Sequence, residues 1–164
     1  MFSINLVLCV ILLTGHISAV VFQDCGSAYE LTSVDIEGCE LMPPCFVTLG
    51  ETVPVSIEFF ADFMSRKLDQ DVLININYVN LRPEVTPEQC ETVVCPVVPN
   101  TISSLTSKMS VPQNMALNQR GYLQWRVYNE SGQRVLCYSV LVQTQSPLQK
   151  LLRRFGLLRR KRHA

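Results

Sequence analysis

The feature that most constrains this 164-residue chain is its cysteines, seven in number. Cys9 lies inside an unbroken apolar run, Leu6 to Leu13, which is followed by the smaller and more polar Thr14 to Ala19. A run of that size is too short to span a bilayer and reads as a signal peptide. Residues 1–19 are therefore expected to be cleaved after Ala19. Cys25, Cys39, Cys45, Cys90, Cys95 and Cys137 remain, an even set. An even set in a chain entering the secretory pathway implies disulfides rather than free thiols.

Six cysteines allow 15 pairings, and counting does not choose among them. Sequence distance suggests that Cys39 with Cys45 and Cys90 with Cys95 staple local loops. Cys25 and Cys137 are then left to join the two ends of one domain. A link closing so long a loop contributes most in the chain-entropy account, on the order of 4–5 kcal/mol. Zinc is a poor rival. The cysteines form no C-x-x-C pair, and the only histidines are His16 and His163, outside the body.

Histidine also limits the chemistry. A body without it has no Ser-His-Asp or Cys-His catalysis, and no Gly-rich phosphate loop occurs. The acidic residues fall on polar strand faces or in loops, where carboxylates are solvated. No enzymatic activity and no cofactor or metal are expected.

Formal net charge is +0, which hides an asymmetry. Every Asp and Glu lies between Asp24 and Glu130, while half of the 14 Lys and Arg lie between Lys150 and Arg162. An acidic body argues against nucleic acid as a ligand, because phosphate binding needs a basic surface.

Between Tyr29 and Gln143 the chain alternates short β-like runs with turn signals, the pattern of an all-β sandwich. Tyr29 to Ile36 alternates loosely. Glu37 to Pro44 is a loop. In Val53 to Phe60, Val53, Val55, Ile57 and Phe59 share one face. In Asp71 to Tyr78, Val72, Ile74, Ile76 and Tyr78 do so. Pro83 and Pro87 are expected to stop regular pairing. Thr101 to Val111 places Leu105, Met109 and Val111 together, and Gly121 to Tyr128 places Leu123, Trp125 and Val127 together. Asn129 to Gly132 is a hairpin turn, and Arg134 to Gln143 returns. One apolar and one polar face per strand is what two antiparallel sheets packed face to face require. No helix is expected before residue 146.

Asn129-Glu130-Ser131 is an N-glycosylation sequon in a predicted surface turn. The competing reading is that Asn129 only makes the turn. The tail, 146–164, has Leu148, Leu151, Leu152, Phe155 and Leu158 on one side of a helical wheel. Lys150, Arg153, Arg154, Arg160 and Lys161 lie on the other. Such a segment suits an anionic membrane surface, contacted through Lys150, Arg153, Arg154, Arg159 and Arg160. A disordered tail, or one folded back on the acidic body, is the alternative.

The cysteines and their neighbours carry a resemblance. Asp24-Cys25-Gly26-Ser27, Gly38-Cys39 through Pro44-Cys45, Gly50-Glu51, Cys95-Pro96, Leu123-Gln124-Trp125 and Leu136-Cys137-Tyr138 follow one another in register. In order and spacing the chain resembles the ML lipid-recognition domain family. That family includes the Niemann-Pick type C two sterol carrier, group-two mite allergens and the lipid-A co-receptor of Toll signalling. The resemblance spans about Asp24 to Thr144.

The resemblance implies an immunoglobulin-like sandwich of two antiparallel sheets with three disulfides and a lipid cavity between the sheets. It implies the pairs Cys25–Cys137, Cys39–Cys45 and Cys90–Cys95. Val111 matches a Val that guards the pocket mouth in the sterol carriers, and Met115 stands at the position of their Tyr. Val55, Ile57, Phe59, Val72, Ile74, Val111, Met115, Leu123, Trp125 and Val140 are the expected slot residues. The expected domains are a signal peptide (1–19), a lipid-binding domain (20–145) and a tail (146–164). The expected function is a secreted, monomeric carrier of sterol or a related apolar lipid, extracellular or in the endosomal or lysosomal lumen. Two alternatives stand beside it. One is innate recognition of bacterial lipid, with Arg66, Lys67 and Arg82 at the rim meeting phosphate. The other is a ligand-free sandwich acting through its basic tail.

Overall fold

The computed structural model describes residues 20–90 and 94–157. The signal-peptide segment, Arg159, Arg160 and the rest of the tail end lie outside the described residues.

Among the described residues ten strands and one helix follow in order: β1 (Gln23–Asp24), β2 (Glu30–Ile36), β3 (Cys45–Thr48), β4 (Thr52–Ala61), β5 (Leu68–Ile76), β6 (Val79–Leu81), β7 (Glu84–Thr86), β8 (Thr101–Ser110), β9 (Arg120–Asn129), β10 (Arg134–Gln145) and α1 (Pro147–Arg154). One sheet runs β1-β10-β9-β5-β6, with β3 also on β10. The other runs β2-β4-β8-β7. Neighbours are antiparallel except β3, which runs parallel to β10.

Alternation sets the inner faces. Val53, Val55, Ile57 and Phe59 of β4 are buried while Pro54, Ser56, Glu58 and Phe60 are not. On the facing sheet Val72 and Ile74 of β5 lie beside Trp125 and Leu123 of β9. Tyr138 and Val140 of β10 continue the same two rows. The core lies between the sheets, as a sandwich of alternating strands requires.

Both sides of the sandwich are strapped. The N-terminal segment crosses from β2, where Val20 N–H donates to Val34 O, to β1 on β10. On the opposite side the segment after β7 crosses to β5, where Gln70 N–H donates to Glu88 O and Cys90 N–H to Leu68 O. The three disulfides are Cys25–Cys137, Cys39–Cys45 and Cys90–Cys95. The first ties the N-terminal strap to β10, the second ties the end of β2 to β3, and the third closes the loop after Pro87.

Two expectations are corrected. Tyr78 does not share the inner face of β5. It is fully exposed, because Asn77 and Tyr78 form the two-residue turn between β5 and β6, with φ of 49° and 64°. Positive φ at both centres suits the twist of a tight hairpin. The Pro83–Pro87 stretch does not stop pairing either: β7 forms between the two prolines and pairs with the edge of β8, where a missing N–H costs least.

At the C-terminus, Ser146 caps α1. Its hydroxyl accepts from Gln149 N–H while the Gln149 side chain accepts from Ser146 N–H, and Pro147 follows the cap.

Candidate functional site: the inner faces of the sandwich

All ten expected slot residues are buried, none more than 7% exposed. They come from both sheets. Val55, Ile57 and Phe59 stand on β4, Val72 and Ile74 on β5, Leu123 and Trp125 on β9, and Val140 on β10. Val111 and Met115 follow β8, where Val111 O accepts from Gly50 N–H. They form part of one continuous apolar core. A groove of about 290 Å³ is lined by Asp35, Ile36, Glu37, Gly38, Cys39, Pro54, Val55, Ser56 and Thr106, and shares only Val55 with the expected slot.

Gln70, Ser107 and Tyr138 are among the polar residues on the apolar faces. Gln70 of β5 and Ser107 of β8 meet between the sheets, with Gln70 Nε2 donating to Ser107 Oγ at 2.6 Å. The Ser107 hydroxyl also lies 2.9 Å from Gln70 Oε1, which accepts from Trp125 Nε1 at 3.1 Å. Gln70 Nε2 donates a second bond to Pro87 O at 2.8 Å. Every polar atom of the Gln70 amide is thus engaged, as burial demands.

Tyr138 is the third. Its ring stacks on Trp125, with centroids 6.1 Å apart and planes 9° from parallel, and Phe22 meets it edge-on at 6.4 Å. Its Oη is buried without a hydrogen-bond partner. Burial pushes the phenol pKa well above its ordinary value. A buried, unpaired hydroxyl costs about 1–3 kcal/mol.

Sequence reasoning missed all three, although the phase of the alternation marks them. Gln70 shares the phase of Val72 and Ile74, Ser107 that of Leu105 and Met109, and Tyr138 that of Val140 and Val142. Starting β5 at Asp71 hid Gln70.

Two of the three expected rim cations, Lys67 and Arg82, are in ion pairs. Lys67 pairs with Asp69 at 2.9 Å and Arg82 with Asp71 at 3.3 Å, while Arg126 also bridges Asp71.

The basic side of the tail packs on the body. Lys150 pairs with Glu51, and the Arg153 guanidinium lies over the Phe46 ring, 3.6 Å from its centroid. Gln149 Nε2 donates to Asn118 Oδ1 at 2.8 Å. The apolar side, Leu148, Leu151 and Phe155, faces outward. These contacts bring Lys150 and Arg153 against the body through charge and a cation–π contact. No described helix is long and apolar enough to cross a membrane.

Asn129 is 7% exposed. Its Oδ1 accepts from Ser131 N–H, the Ser131 hydroxyl and Gln133 N–H, holding the β9–β10 turn. The turn-making role of Asn129 is thus visible in the geometry.

The family model of the ML domain matches residues 19–144, most of the chain. The chain belongs to the ML domain family. In the ML domain here, the two sheets and three disulfides match what the cysteine register implied. Among solved structures it is similar to a Niemann-Pick type C2 protein from Japanese carpenter ant, at 16% identity and a TM-score of 0.66. That match covers 76% of this chain and 99% of the other. At this identity the likeness shows the fold. The sporulation control protein Spo0M from Bacillus subtilis overlaps less, at 10% identity and a TM-score of 0.44, over 73% of this chain and 50% of the other. No curated protein sequence matches significantly. Membership of the ML domain family makes this a lipid-binding fold, of a non-enzymatic kind.

Proposed function

We propose that this ML domain is a secreted carrier that binds a sterol or a related apolar lipid between its sheets and transfers it. The observation that carries this reading is the pair of inner faces. Val55, Ile57 and Phe59 oppose Val72, Ile74, Leu123, Trp125 and Val140 with no charged side chain among them. Contacts between such faces are non-directional. A lipid can replace sheet-to-sheet contacts with equivalent ones, and its own burial then drives binding at about 25 cal/mol per Å². The Gln70–Ser107 bridge fixes sheet spacing on the β5–β8 side, so the remaining, apolar part of the interface is where the sheets part. Val111 and Met115 border that space.

The disulfides support an oxidising, extracellular or lysosomal lumen. The outward Leu148, Leu151 and Phe155 of α1 offer an apolar strip, and four cations, Arg159 to Arg162, follow later in the sequence, a composition that suits transient contact with an anionic bilayer during transfer.

The test is to purify the secreted protein, extract what it carries and identify it by mass spectrometry. A sterol or other neutral lipid is the expected result. A phosphorylated glycolipid would replace the carrier reading with bacterial-lipid recognition, and a lipid-free protein that takes up none would end it. Deleting Lys150 to Ala164 is expected to reduce binding to anionic vesicles. Unchanged vesicle binding would remove the membrane role of the tail.

A further inference from the structure

The segment 111–119 carries Val111 and Met115, both buried, and is tied to the body at each end. At its start Val111 N–H donates to Glu51 O, and Val111 O accepts from Gly50 N–H. At its end the Thr144 hydroxyl donates to Ala116 O. The N–H groups of Asn118 and Gln119 donate to Thr144 O and Thr144 Oγ1.

α1 reaches both ties. Lys150 pairs with the Glu51 carboxylate beside the first, and Gln149 Nε2 donates to Asn118 Oδ1 beside the second. Arg153 lies over the Phe46 ring of β3. One short helix thus joins two turns that are far apart in the chain.

These are fastenings that can be exchanged. The side chains of Lys150 and Glu51 are 51% and 34% exposed, so water and salt screen the pair. Leu148, Leu151 and Phe155 face outward, seven Lys and Arg lie between Lys150 and Arg162, and no Asp or Glu follows Glu130. A segment of that composition gains at an anionic bilayer, where apolar side chains are buried and cations meet lipid phosphate. Lys150 and Arg153 stand on the side of α1 away from the apolar strip. They reach lipid phosphate by leaving Glu51 and Phe46. A bilayer that binds the released helix better than the fastened one shifts the balance toward release.

We propose that α1 is a latch which an anionic bilayer releases. On the membrane Lys150 and Arg153 exchange Glu51 and the Phe46 ring for lipid phosphate, and the segment 111–119 loses the helix that joins its ends. This rests on the carrier reading above and adds its regulation. The border of the slot loosens at the surface that gives or receives lipid, and stays fastened in solution.

The test is hydrogen–deuterium exchange, read by mass spectrometry, on the full secreted chain. It is measured alone, with phosphatidylcholine vesicles, and with mixed phosphatidylcholine and phosphatidylserine vesicles. Exchange across 111–119 is expected to rise about threefold or more on the anionic vesicles and to stay unchanged on the neutral ones. Glu51→Gln and Phe46→Leu remove the body's partners and leave every cation of the tail in place. Both are expected to exchange faster across 111–119 in solution already, with a smaller further rise on anionic vesicles. β4 and β9 should stay as slow as in the wild type. If Phe46→Leu loosens those strands too, Glu51→Gln decides alone. Binding to anionic vesicles with 111–119 unchanged or slower would overturn the latch, by showing that α1 docks while still fastened. Wild-type exchange in Glu51→Gln would overturn it as well, as would a chain that ignores anionic vesicles. The readout uses no lipid cargo, so the carrier reading stands or falls separately, on the extracted lipid.

Discussion

Gln70 and Ser107 hydrogen-bond each other across the interior of the sandwich, one from each sheet, at 2.6 Å. Gln70 also receives the indole N–H of Trp125, so a single side chain links β5, β8 and β9. Gln70→Leu leaves the Trp125 Nε1 and the Ser107 hydroxyl unpaired in the core. It is expected to destabilise the fold by about 1–3 kcal/mol in urea unfolding. In a double-mutant cycle with Ser107→Ala, a coupling of about 0.5 kcal/mol or more is expected. Strict additivity would show that the two side chains do not act together.

Gly121 lies where β9 passes close to β5. A Cβ built on it would stand 2.0 Å from Asn75 O and 2.5 Å from Ile76 Cγ1. Backbone cannot move aside without breaking the pairing of Ile76 with Gly121. Gly121→Ala is expected to cost about 3 kcal/mol, the upper part of the range for overpacking. A melting temperature within a degree of the wild type would contradict this.

Acid stability should follow Asp24 and Glu130. Burial raises the Asp24 pKa, but bonds from Ser27 N–H and Gly26 N–H and the charge of Arg134 outweigh it, and the net shift is downward. The Glu130 pKa is also lowered, first by its own backbone N–H, then against slight desolvation by the N–H groups of Arg66 and Lys67. A depressed folded-state pKa stabilises fully above the unfolded value, about 4, and the contribution is lost as pH falls through the folded value. These groups therefore leave stability flat between pH 7 and 5, the range of a secreted or lysosomal protein, with the loss beginning below about pH 4. Asp24→Asn is expected to make that acid limb shallower in pH-dependent unfolding.

Asn129 holds the β9–β10 turn and also heads a sequon, and variants separate the two. Asn129→Ala removes the acceptor for Ser131 N–H, the Ser131 hydroxyl and Gln133 N–H, and should cost about 1–3 kcal/mol. Ser131→Ala destroys the sequon while sparing the two backbone bonds, so it should be much milder. If Asn129 bears a glycan, both variants lose the mobility shift produced by peptide-N-glycosidase. Equal destabilisation by both would assign the turn to the hydroxyl instead.

Much of this fold was legible in the residues. The alternation of Val53 to Phe59 and of Leu123 to Val127 placed those side chains correctly, because strand geometry alone decides which residues share a face. The pairing of Cys25 with Cys137 was legible from distance and from the register of its neighbours. Short elements were not. β1, β3, β6 and β7 are two to four residues long, and they exist because a longer strand offers them an edge. Tyr78 was misplaced because a turn, which reverses the chain at Asn77, interrupts the phase on which the prediction ran.

By itself the sequence determined a disulfide-bonded β-sandwich with apolar inner faces, since cysteine spacing and alternation are local properties of the chain. Only the tertiary structure decided what happens to polar residues on those faces. Gln70 found Ser107 on the opposite sheet, and Tyr138 found none. It also decided that Lys150 and Arg153 turn toward Glu51 and Phe46 while Leu148 and Leu151 of α1 face out. The physical reason is the same in each case. Periodicity says which way a side chain points, but a hydrogen bond or an ion pair depends on what a distant segment brings within about 3 Å of it.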